Sequence, residues 1–148
     1  MKSAFTMIEL VFVIVILGIL AAVAIPKLTA TRDDARISAK AQNIMGGASE
    51  IAAYAVTNGK TEDNLTDMSN AMLNLSNTDD AVFSSKKVVI KAGGIDDCIT
   101  LQILTSATDD NLTISYGVAG GDNLCSALQS LVDAEKYPMK LRGTYIEY

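Results

Sequence analysis

Apolar residues dominate the start of the chain. Residues 5–25 contain two polar side chains, Thr6 and Glu9, and no further charge appears before Lys27. At the helical rise of about 1.5 Å per residue, this segment would be about 31 Å long, which matches the hydrocarbon thickness of a bilayer. The pattern predicts a membrane-spanning helix with a single carboxylate near its beginning.

The helical pattern continues beyond the apolar run, with a narrower apolar stripe. Six apolar residues follow one another at intervals of 4, 3, 4, 3 and 4 positions: Ile37, Ala41, Ile44, Ala48, Ile51 and Ala55. Such spacing places side chains on one face of an amphipathic helix. We therefore expect one long helix over about 5–56, membrane-spanning over 5–26 and amphipathic over 27–56. Gly18 is a poor helix former and Pro26 lacks a backbone donor, so both are predicted to break or loosen this helix.

The remaining residues, 57–148, are predicted to form a small globular head. Periodic apolar residues indicate a short helix over 62–75, beginning after a capping hydroxyl at Thr61, and a later helix capped by Asp122. Alternating and β-branched runs predict strands at 87–92, 98–105, 112–116 and in the tail 141–148. The predicted fold class is α+β, with a long N-terminal helix packed on a small antiparallel sheet.

Charge and composition exclude several classes of function. Residues 1–56 carry five Lys/Arg and four Asp/Glu, a net of +1, whereas residues 57–148 carry seven and thirteen, a net of −6. An acidic head repels phosphate backbones, so nucleic acid is not expected as a partner. The chain has no His, which excludes His-dependent triads and His-ligated zinc. Because no pocket motif or phosphate-binding glycine loop is present, we expect no enzymatic activity.

Two cysteines, Cys98 and Cys125, lie in the acidic head. Two thiols without a histidine cannot build a four-ligand zinc site. In an exported domain they are expected to form one disulfide, worth roughly 3–4 kcal/mol in the chain-entropy model. Two buried free thiols are the alternative.

The N-terminal segment also carries a family resemblance. The stretch AFTMIEL, the aliphatic run after it and AAVAIPK resemble the N-terminus of type IV pilins and type II secretion pseudopilins. In that family a prepilin peptidase removes a short leader, and the new terminal amine is methylated. By this resemblance the leader is residues 1–4, the cut falls between Ala4 and Phe5, and Pro26 is the family's helix-breaking proline. Glu9 would pair with the amine of Phe5 on a neighbouring subunit. Ala4 stands where the family usually has glycine.

The resemblance implies a structural subunit of a type IV pilus or a type II secretion pseudopilus, polymerising with like or related subunits into a helical filament. The implied partners are the prepilin peptidase, an inner-membrane platform, an assembly ATPase and membrane lipid before assembly. The expected location is the inner membrane with the head outside the cytoplasm, followed by a periplasmic or extracellular filament. A signal peptide is the alternative for the apolar run, but its apolar stretch is only about 7–15 residues long.

The sequence leaves two further functions open. One is a minor or competence pseudopilin involved in DNA uptake, which the acidic head disfavours. The other is a membrane-anchored ectodomain that keeps Met1 and does not assemble. The positive-inside rule argues weakly against the expected orientation, because Lys2 stands on the cytosolic side while Lys27 and Arg32 stand on the other.

The head contains two further kinds of candidate site. Asp96, Asp97 and Asp122 are the candidates for binding calcium, although no EF-hand spacing is present and Asp-rich turns are usually solvated. The segments TEDNLT (61–66) and TDDNLT (108–113) both contain Asn-Leu-Thr with an acid two positions before the Asn. They resemble the extended bacterial N-glycosylation sequon and mark Asn64 and Asn111. Capping and turn segments use the same residue types, which is the structural alternative.

Overall fold

The computed structural model describes residues 6–106 and 109–141. Helix α1 is continuous from Met7 to Asn58 and contains 52 residues. The chain divides into two compact units, the first ending at Ala35 and the second beginning at Arg36. The predicted long helix is therefore confirmed from Met7 onward, while the leader and Phe5 lie outside the described residues.

In the first unit, the apolar face of α1 has no covering. Every residue from Thr6 to Arg32 is exposed. By length and composition this helix can cross a membrane. An apolar surface of this length is stable only when lipid or other apolar helices cover it.

Helix α1 continues through Gly18 and Pro26, so neither residue ends it, and the loosening expected at these positions stays a prediction. Pro26 removes only the hydrogen bond that its own nitrogen would donate to the carbonyl of Ala22, and the turns on either side keep their bonds. The Thr29 hydroxyl donates to the carbonyls of Ile25 and Pro26 at 3.1 and 2.9 Å, which adds local contacts at this point.

In the second unit, the predicted apolar stripe of α1 forms one wall of the core. Its six members are all buried: Ile37, Ala41, Ile44, Ala48, Ile51 and Ala55. Gly47 lies on the same face, where an added Cβ would meet the Cε atom of Met72 at 2.2 Å. The absence of a side chain at Gly47 therefore lets a second helix pack closely against α1.

Beyond α1, the described residues form helices α2 (Leu65–Met68), α3 (Asn70–Ser76) and α4 (Asn123–Leu131) and a short 3₁₀ turn at Ala134–Lys136. The single helix predicted over 62–75 is wrong, because Ser69 has extended backbone and its hydroxyl accepts from the Met72 nitrogen, starting a new helix. Thr61 caps nothing, and its hydroxyl donates instead to the Asp110 carboxylate at 2.8 Å. The predicted Asp122 cap is confirmed by a bond from the Cys125 nitrogen.

Within the described residues, five antiparallel strands pair in chain order: β1 (Ala81–Ser84), β2 (Lys87–Ala92), β3 (Ile95–Thr105), β4 (Asp110–Tyr116) and β5 (Met139–Lys140). The sequence predicted β2 and β4 closely, gave β3 too late a start and missed β1. Of the predicted tail strand, Leu141 is buried but not in a strand, and 142–148 lie outside the described residues. Inward-facing residues of β2, β3 and β4 pack with the α1 stripe in one core, so the α+β prediction is confirmed.

Gly117 permits a close backbone contact at the end of the β3–β4 pair. Its nitrogen donates to the Cys98 carbonyl, and an added Cβ would lie 1.7 Å from the Asp97 carbonyl oxygen. We expect Gly117→Ala to destabilise the head by about 1–3 kcal/mol, because the backbone must move to make room. Urea unfolding of the full chain in mild detergent measures this through tyrosine fluorescence, since all five tyrosines lie beyond residue 53.

Gly46 is the matched control for this substitution. It lies inside α1, and an added Cβ would approach no side chain closer than 3.9 Å. Gly46→Ala should therefore stabilise the head by about 0.5–1 kcal/mol, because alanine has the higher helix propensity. Equal effects of the two substitutions would contradict the contact assigned to Gly117.

Candidate functional site

The first turn of α1 holds the carboxylate of the apolar segment. The Glu9 Oε2 atom accepts hydrogen bonds from the Thr6 nitrogen at 2.9 Å and from the Thr6 hydroxyl at 2.6 Å. The Glu9 nitrogen donates to the Thr6 hydroxyl at 3.3 Å. This reciprocal pattern is a capping box, which satisfies backbone donors at the start of a helix. Sequence reasoning missed it, although the Thr-x-x-Glu spacing was the available signal.

The capping box leaves Glu9 exposed on an apolar surface. Its neighbours one turn along the helix, Phe12 and Val13, are 65% and 45% exposed. The negative charge also lies at the helix N-terminus, where the helix dipole favours it. The Glu9 carboxylate can therefore bind a cation that lies at its own depth within an apolar layer. The proposed processing residues, Ala4 and Phe5, lie outside the described residues.

The three calcium candidates are not brought together as an ion site. Asp96 forms an ion pair with Lys91 at 3.0 Å. Both Asp122 oxygens accept backbone hydrogen bonds, Oδ1 from Cys125 and Oδ2 from Gly94, and these bonds lower the pKa of Asp122. Within 6–106 and 109–141, no three Asp, Glu or Cys side chains gather to hold a metal. Calcium binding stays a prediction, which adding Ca²⁺ to the full chain and measuring its thermal stability would test.

Cys98 and Cys125 form the predicted disulfide, which joins β3 to α4. Both residues are fully buried. The Gln129 side chain supports the same junction, since its amide donates to the carbonyls of Cys98 and Gly117 at 2.9 Å each. Disulfides of this kind form and persist in oxidising compartments.

The Glu50 side chain, on α1, binds the start of α3. Its Oε2 atom accepts from the Ser69 hydroxyl at 2.7 Å and from the Ala71 nitrogen at 3.1 Å. These bonds favour the charged form and lower the pKa of Glu50 below its ordinary value of 4.5. Ser69 and Glu50 were not recognised in the sequence because they are 19 residues apart.

We expect the stabilisation that the Glu50 contacts give the head to be lost in acid. Because the folded-state pKa is lowered, this contribution is present above the unfolded pKa and is lost as the pH falls through the folded pKa. Glu50→Gln should therefore flatten the dependence of the urea midpoint on pH between about pH 5 and 3. The control is Glu135→Gln, at an exposed glutamate in the 3₁₀ turn; an equal flattening there would contradict the assignment.

Comparison with protein-family models, with curated proteins and with solved structures gave no match to this chain. The function is therefore inferred from the chain's own residues. Three of its features bear on function: an uncovered apolar helix, a carboxylate at the start of that helix, and a disulfide-bonded α+β head.

Proposed function

We propose that this chain is a pilin-type structural subunit, of a type IV pilus or a type II secretion pseudopilus. A prepilin peptidase would remove residues 1–4, and the chain would wait in the inner membrane with its head outside the cytoplasm. A membrane platform and an assembly ATPase would then move subunits from lipid into a periplasmic or extracellular filament. The role is mechanical, without catalysis or a required cofactor.

The observation that carries this proposal is the exposed carboxylate of Glu9 within an uncovered apolar helix. An acid at mid-membrane costs roughly 2.5–3.5 kcal/mol on insertion scales, and less near the edge. Pairing with a cation lowers that cost. The terminal amine of a processed neighbour, at Phe5, would supply this cation at nearly the same depth, because Phe5 and Glu9 are only four residues apart.

The difference in exposure between the two parts of α1 supports the same proposal. Its first part exposes apolar side chains on all sides, whereas its second part buries one stripe in the head. A helix that is apolar all round requires apolar neighbours. Lipid and the same helix of other subunits supply them equally well. Subunits of this type could pass from membrane to filament without exposing the apolar segment to water.

A membrane-anchored ectodomain that does not assemble is the second candidate. The capping box favours it, since Thr6 already supplies the Glu9 carboxylate with two donors inside one chain. Those donors are neutral, however, so they satisfy hydrogen bonding without cancelling the charge. The two candidates therefore differ in whether Glu9 requires a cation from a second copy.

N-terminal mass analysis of the native protein tests the proposal. We expect the chain to begin at Phe5 with one methyl group on its amine, and the leader 1–4 to be absent. A native chain that still begins at Met1 would contradict the pilin proposal and favour the anchored ectodomain. Exchange of Ala4 for glycine, the residue usual in the resembled family, should keep or increase the processed fraction.

A further inference from the structure

We propose that Asn64 is the acceptor of an N-linked oligosaccharide and that Asn111, with the same local sequence, is not. The inference rests on the proposed function in one respect, since it requires a head outside the cytoplasm. The disulfide supports that location independently. Asn-x-Ser/Thr acceptors belong to surface loops of exported proteins, so accessibility in the fold can separate the two candidates.

Asn64 lies on the surface, in the segment that leads into the single turn α2. Its side chain is exposed, and it occupies the N-cap position of α2 without a side-chain capping bond. Its amide nitrogen donates to the Asp67 carboxylate at 3.2 Å. A glycosylated amide keeps one N–H, so the product can retain this contact.

Asn111 lies inside the sheet. It belongs to β4, where it pairs with Leu104 of β3 on one side and with Lys140 of β5 on the other. Both of its chain neighbours, Asp110 and Leu112, are buried. Presenting Asn111 to an enzyme would require a strand with partners on both sides to leave the sheet, whereas presenting Asn64 requires one uncapped turn to open.

The residues around Asn64 complete an acceptor of the type with an acid two positions before the asparagine. Glu62 supplies that acid and lies near the surface, paired with Lys60 at 2.7 Å and accepting from the Tyr54 hydroxyl at 3.1 Å. Thr66 supplies the hydroxyl two positions after Asn64 and is half-buried. Leu65, between them, is fully buried, so transfer takes place while α2 is open.

The chemistry requires a polyprenyl-diphosphate-linked oligosaccharide as the donor. The Asn64 amide nitrogen attacks the anomeric carbon of the first sugar, and a C–N bond forms as the bond from that carbon to the phosphate oxygen breaks. The amide gives up one proton, and the polyprenyl diphosphate leaves with the bonding electrons. No oxidant or reductant is needed, and the transferase is a membrane enzyme of the same compartment.

The test expresses the full chain in bacteria that contain an undecaprenyl-diphosphate-linked oligosaccharide and a transferase selective for acidic sequons. Cleavage at lysine releases Asn64 in peptide 61–86 and Asn111 in peptide 92–136. We expect the oligosaccharide mass on peptide 61–86, localised to Asn64 by fragmentation, with peptide 92–136 bare. Asn74 in the same peptide begins an Asn-Leu-Ser triplet with Met72 instead of an acid, and should also be bare.

Four variants extend the test. Asn64→Gln should abolish the modification, and Glu62→Gln should reduce its occupancy at least tenfold while keeping an acceptor for Tyr54. Glu62→Asp and Asn111→Gln should both leave the modification in place. Occupancy that is unchanged in Glu62→Gln would overturn the role given to the acid.

Three negative outcomes separate this inference from the pilin proposal. An unmodified chain with its disulfide formed, in cells that glycosylate a reference acceptor, would overturn this inference and leave the pilin proposal standing. So would modification of Asn111 in place of Asn64. Free thiols at Cys98 and Cys125, detected by alkylation, would show a head that is not exported and would overturn both proposals.

Discussion

Exchange of Glu9 for glutamine is expected to reduce crosslinked multimers of the chain by roughly ten- to a hundredfold. Glutamine keeps the size and hydrogen-bonding capacity of the side chain but cannot pair with a cation. If loss of the ion pair lowers the association free energy by roughly 1.4–3 kcal/mol in an apolar layer, association weakens by such a factor. The measurement is a lysine-reactive crosslinker applied to intact cells, followed by separation of monomer from multimers.

Two control variants separate charge pairing from helix capping. Glu9→Asp keeps the charge and should retain part of the multimers. Thr6→Val removes a hydroxyl that contacts Glu9 at 2.6 Å but leaves the carboxylate free to pair with another chain, so it should leave the multimers in place. If Glu9→Gln has no effect on multimers, the carboxylate does not pair between chains, and the anchored ectodomain becomes the better description.

The helices could be predicted where their signals are local. The spacing of Ile37, Ala41 and Ile44 repeats with the period of a helix, and all three side chains are buried. Asp122 precedes an apolar run and caps α4, because its carboxylate reaches the nitrogen of Cys125 three residues away. In both cases the deciding contact lies within one or two helical turns of sequence.

The errors occur where a distant residue decides the local structure. Thr61 has the form of a helix cap, but its hydroxyl is taken by Asp110, which is 49 residues away. Ser69 ends α2 and starts α3, with Glu50 of α1 as its partner. Neither contact produces a periodic pattern in the sequence. One helix was therefore predicted where the structure has two.

The candidate site was predicted in part. Glu9 stands out in sequence as the only charge in an apolar run, and its exposed position on α1 agrees with that. Its bonds to Thr6 were overlooked, although they lie within one turn. The proposed cation on a second chain was implied by the family resemblance alone, because no contact within one chain depends on it.

Removal of the disulfide is expected to destabilise the head by roughly 3–4 kcal/mol in the chain-entropy model. The bond closes a loop with a sequence separation of 27 residues and holds α4 against β3. The double variant Cys98→Ala and Cys125→Ala should therefore lower the Tm by roughly 10–20 °C for a unit of this size. Tyrosine fluorescence of the full chain in mild detergent follows the transition.

Chemical reduction provides the control for that prediction. A reductant should lower the Tm of the unaltered chain by a similar amount and leave that of the double variant unchanged, which separates loss of the bond from loss of two buried side chains. Leu128 and Val132 are also buried at α4, and they oppose the effect by holding this helix through apolar contacts. A destabilisation below about 1 kcal/mol in both experiments would mean that these contacts suffice. The disulfide would then contribute little to the stability of the head.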